Sequence, residues 1–103
     1  MSFDPTRFKS FCSEFYTLEK TVEVVVKFKG KPESDFVRIQ VWNIPEGIGT
    51  TVAGYKATSQ IRRTMGNGST YIEYSLPWVH ASSVDSALSE ALSFLGERCE
   101  PCE

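Results

Sequence analysis

The chain has 103 residues, 41% of them hydrophobic and 23% charged, with eleven Lys and Arg against thirteen Asp and Glu. That length accommodates one domain, and a net charge of −2 excludes bulk polycation or polyanion behaviour. The longest aliphatic run, Val24-Val25-Val26, falls far below the ~20 apolar residues of a membrane-spanning helix, so no membrane role is expected.

Met1-Ser2-Phe3-Asp4-Pro5 lacks the basic start and apolar stretch of a secretion signal, and a soluble, cytoplasmic domain is the expectation. Asp4-Pro5 reads as a helix start, with Asp4 accepting free N–H groups and Pro5 at the first helical position. Phe3 and Phe8 stand at the spacing of a hydrophobic staple. Phe8, Phe11, Cys12, Phe15 and Leu18 recur at helical spacing, which predicts a helix over 4–18.

From Thr21 the period becomes two. Val22, Val24, Val26 and Phe28 alternate with Glu23, Val25, Lys27 and Lys29, the pattern of a strand. Gly30 to Asp35 is a turn, and Val37, Ile39 and Val41 alternate with Phe36, Arg38, Gln40 and Trp42 in a second strand. Pro45 to Gly49 is a loop, residues 51–63 form a weaker third strand, and Gly66-Asn67-Gly68 signals a hairpin. A fourth strand over 70–76 stops at Pro77. Ser82 or Ser83 then caps a helix whose stripe is Val84, Ala87, Leu88, Ala91, Leu92 and Leu95, ending at Gly96.

The predicted fold class is therefore α+β: an N-terminal helix, a four-stranded antiparallel meander and a C-terminal helix, with both helices on one sheet face. Residues 1–96 form the domain and residues 97–103 a polar tail. The strand positions of opposite parity are then left uncovered. They carry Lys27, Phe36, Arg38, Trp42, Lys56, Arg62 and Tyr71, which are the candidate binding residues. Residues 20–65 hold a surplus of four positive charges, and residues 66–103 a surplus of five negative ones.

Basic residues interleaved with aromatics on a sheet suit single-stranded nucleic acid, where bases stack on rings and phosphates meet cations. The same residues serve a protein partner or a self-dimer, and protein–protein recognition without catalysis is the preferred expectation. Cys99-Glu100-Pro101-Cys102 has the spacing of half a zinc site or of a redox pair, a third possibility. Only Cys12 and His80 could complete a four-ligand zinc site, and Cys12 belongs to the apolar stripe. Three acids, Glu97, Glu100 and Glu103, flank the thiols and disfavour thiolate. The expectation is thus two ordinary thiols on a disordered end, with no cofactor and no metal.

His80 has Ser82 and Ser83 nearby but no surrounding nucleophile motif, so a surface position is expected. Gly47-Ile48-Gly49 precedes a strand rather than a helix and fails as a phosphate cradle. Asn67-Gly68-Ser69 has the form of a glycosylation sequon, for which the hairpin reading suffices. Trp78 is expected to plug the gap between sheet and C-terminal helix.

Overall fold

A computed structural model describes residues 4–46, 52–66, 68–77 and 79–102. Strands β1 (Thr17–Val26), β2 (Asp35–Ile44), β3 (Gly54–Met65) and β4 (Gly68–Glu73) pair antiparallel in that order. A two-residue strand, β5 (His80–Ala81), pairs with β3 beyond the end of β4, and helix α1 (Val84–Gly96) follows.

The structure corrects the expected pair of helices. Among the described residues α1 is the only α-helix, and the N-terminal stretch contains a 3-10 turn over Pro5–Phe8. The cap itself forms, with Asp4 Oδ1 accepting from the Thr6 amide at 3.1 Å. The turn does not propagate because Phe8, Ser10, Phe11, Cys12, Ser13, Phe15, Tyr16 and Thr17 are all mediocre or poor helix formers. Its stripe is not buried as one face: Phe11 is 77% and Leu18 47% exposed, while Phe8, Cys12 and Phe15 are half-buried. The segment's end is claimed by the sheet instead, with Thr17 opposite Asn43 and Leu18 opposite Trp42. A β-bulge between Leu18 and Lys20 turns Leu18 onto the same face as Trp42. The expected staple residue Phe3, the Gly47-Ile48-Gly49 loop, Asn67 and Trp78 lie outside the described residues.

One sheet face is aliphatic. Val37, Ile39 and Val41 are wholly buried beneath Ala87, Ala91 and Leu95 of α1, whose small alanines let the helix approach the sheet closely. Ser83 starts the helix by accepting the Ser86 amide on its Oγ at 3.1 Å. The helix packs on β2, β3 and β5 rather than on β1, so the β1 valines Val22, Val24 and Val26 are only half-buried. At one end Phe28 closes the core, its ring tilted against Tyr74 at 5.3 Å between centroids.

Residues past α1 are docked rather than loose as far as Glu100. The Lys29 amide donates to the Arg98 carbonyl at 3.0 Å, and the Glu100 amide donates to the Lys27 carbonyl at 2.7 Å. These bonds bracket a bridge between Phe28 and Cys99.

Candidate binding face

The opposite face is built by the even positions of β2 and β3. Trp42 lies opposite Lys56, Gln40 opposite Thr58 and Arg38 opposite Gln60, while Arg62 lies opposite Tyr71 of β4. Glu23 and Val25 of β1 reach the same face, opposite Arg38 and Phe36. Six of the seven expected residues therefore share one surface, and no helix among the described residues covers it. Lys27 sits one residue beyond β1, with its carbonyl taken by the C-terminal segment.

This face is an ordered lattice of cations on rings. The Arg38 guanidinium lies 3.7 Å from the centre of the Tyr71 ring, Arg62 lies 3.7 Å from that of Phe36, and the Lys56 ammonium 3.7 Å from that of Tyr16. Such stacking holds the cations in place while leaving ring edges in contact with solvent. Arg38 also donates to Gln60 Oε1 from Nε at 2.8 Å. The Trp42 indole N–H donates to Thr58 Oγ1 at 2.9 Å. Glu23 meets Arg62 at 3.8 Å and accepts from the Tyr71 hydroxyl at 3.3 Å. Beside this network Val25 is 56% and Phe36 38% exposed, an apolar pair directly across the strands.

A groove of about 450 Å³ runs over the β2–β3 part of the face, from Tyr16 and Trp42 towards Glu73. Its wall is made by a mismatch in pairing. From Gln60 to Lys56 β3 advances four residues, whereas the returning chain takes seven, from Glu73 to His80. The surplus runs beside the sheet, where Tyr74, still bonded through its amide to Ser59, and Ser75, Leu76 and Pro77 form a rim to the groove. Sequence parity located the cations and rings, but Tyr16 and this rim were missed. Tyr16 was hidden in an expected helix, and only the Pro77 stop hinted at the rim.

The other candidates resolve simply. His80 lies in β5 opposite Lys56, with Nε2 3.3 Å from the Val52 carbonyl. Its ring packs over Gly54, where an added Cβ would come within 2.8 Å of the imidazole, and where φ is +147°. That close approach requires a glycine. Cys99 is half-buried and burial pushes its thiol up, so it is held as thiol; Cys102 is exposed, and Cys12, Cys99 and Cys102 are all free. Among the described residues no group of three or more His, Cys, Asp or Glu side chains gathers where a metal ion could be held. None of the described helices is long and apolar enough to cross a membrane.

No family model, no curated protein and no solved structure matches the chain.

Proposed function

We propose that this chain is a non-catalytic binding module of the cytoplasm that engages another protein through the uncovered sheet face. The observation that carries the reading is the state of the rings. Phe36, Tyr71 and Tyr16 each already lie beneath a cation, so a nucleobase would have to displace a guanidinium or ammonium before stacking. Two carboxylates, Glu23 and Glu73, also stand among the three cations and reduce the positive field that a phosphate backbone requires. A protein surface has no such need. It is met by a mixed-charge lattice surrounding an exposed Val25–Phe36 pair, the usual arrangement of an apolar anchor within a polar rim. Three free thiols agree with a reducing compartment.

A photo-reactive phenylalanine analogue at position 36, compared with one at the exposed position 90 on α1, tests the assignment. The partner cross-linked from 36 and not from 90 is purified and titrated against wild type, Phe36→Ala and Arg38→Ala. Each substitution is expected to weaken binding by ~2 kcal/mol, or about thirtyfold. Wild-type affinity in both variants refutes the protein reading. Retardation of a mixed single-stranded oligonucleotide at low salt, lost in Arg38→Ala, replaces it with the nucleic-acid alternative.

A further inference from the structure

The groove beside β3 is chemically one-sided. Its floor carries Lys56, Thr58 and Gln60 of β3 next to Gln40 and Trp42 of β2. Both lone pairs of Gln60 Oε1 are taken by Arg38, from Nε at 2.8 Å and from Nη2. An arginine only donates, so the oxygen must face it and the Nε2 hydrogens are left for the groove. Thr58 Oγ1 accepts the Trp42 indole N–H at 2.9 Å and keeps its own hydrogen to donate. Lys56 ends the row with an ammonium, which also only donates. The lining hydroxyls and Gln40 can take either part. Among the described lining side chains, Glu73 alone is restricted to accepting, and it stands at the Gln60 end.

Trp42 differs from the other rings of this face. Among the described residues no cation lies over its indole, whereas Phe36, Tyr71 and Tyr16 are each covered by one. The bond to Thr58 ties its edge across from β2 to β3, which fixes the ring in the groove and leaves its face without a polar or charged partner. The groove therefore combines a row of donors, one open ring and a single carboxylate at one end.

We propose that the groove takes a proline-rich segment of the partner in the polyproline II conformation, with a basic residue at the Glu73 end. This deepens, and rests on, the reading that a protein engages the uncovered face. A proline-rich segment offers carbonyl acceptors and no amide donors, and its carbonyls have no bonds within the helix. An ordinary extended segment would bring N–H groups onto a floor of donors and leave them unpaired. An acidic segment is opposed by Glu73 and by the negative face of the indole. Proline rings are flat and apolar and suit the open face of Trp42, as in other aromatic-lined grooves that hold such helices. The length also fits: Lys56 to Gln60 spans about 13 Å at ~3.3 Å per strand residue, which is about four residues at ~3.1 Å each. Prolines then lie on Trp42, and the following carbonyls accept from Thr58 and Gln60.

Synthetic hexaproline peptides ending in glycine, arginine or glutamate, with an alanine counterpart, are titrated into the full chain to test this. The Trp42 indole N–H and the Gln60 side-chain amide are followed by NMR. Saturable shifts of both signals are expected with the proline peptides and not with the alanine one. Gln60→Glu keeps an oxygen for Arg38 but replaces the donor by an acceptor, so the glycine-ended peptide should bind about tenfold more weakly. In the natural chain the arginine end should be preferred over the glutamate end by about tenfold, and Glu73→Gln should remove that preference. No saturable shift from any proline peptide, or unchanged binding of the glycine-ended peptide by Gln60→Glu, overturns the proposal. So does equal binding of the alanine peptide. Should Gln60→Glu fail to fold, the peptide series on the natural chain decides. The cross-link from position 36 reports separately whether a protein is bound, so loss of this proposal leaves that reading standing.

Discussion

Arg38 and Ile39 are neighbours in the chain and belong to different physical regimes. Ile39 is wholly buried under α1, in a face held by apolar contact. Arg38 lies on the other side of the same strand, where order comes from a ring beneath it and an amide oxygen beside it. The covered face gains its stability from area removed from water, and any lost methyl group is felt. The uncovered face is fixed by interactions that water and salt weaken, so it contributes geometry more than stability. A binding surface benefits from that division, because changing it leaves the fold standing.

The sharpest way to break the contrast is to truncate both residues. Ile39→Ala is expected to lower unfolding free energy by about 3 kcal/mol, whereas Arg38→Ala should cost less than ~1 kcal/mol, both read by chemical denaturation. Equal losses would mean that the cation lattice carries the fold. A smaller effect probes the lid of the covered face: Ser83→Ala removes the helix cap and should cost about 1 kcal/mol, with α1 amides exchanging faster than those of β2. The smallest concerns the lattice itself. A double-mutant cycle on Glu23→Gln and Arg62→Gln should yield a coupling of ~0.5 kcal/mol that vanishes in molar salt. A salt-insensitive coupling would place that pair in a drier setting than its half-exposed side chains indicate.

The same contrast explains what could be read from the residues. Strands β2 and β3 alternate cleanly, so parity alone sorted Arg38, Trp42, Lys56 and Arg62 onto one face and Val37, Ile39 and Val41 onto the other. Thr58 and Gln60 share that parity and were open to the same reasoning. Two apolar stripes of helical spacing had different fates. Val84 to Leu95 combines its stripe with alanine, leucine and glutamate and buries it on the sheet. Phe8 to Leu18 has the spacing but is rich in aromatic, serine and threonine residues, and its last residues were worth more as sheet partners. Spacing reports a face only where the chain is already helical. The bulge at Leu18 and the docking of Arg98 to Glu100 depend on neighbours far away in sequence, which local patterns do not encode.

The outward detour between β4 and β5 sets the groove apart from the rest of the molecule. Past Tyr74, whose amide still donates to the Ser59 carbonyl, Ser75 to Pro77 lie between the paired residues of β4 and β5, so lengthening or shortening that stretch alters the height of one bank without moving a rung of the ladder. Insertions there are absorbed at small entropic expense. The architecture thereby separates what must stay constant for folding from what is free to vary for recognition, and specificity can be retuned by changing the length of a few residues.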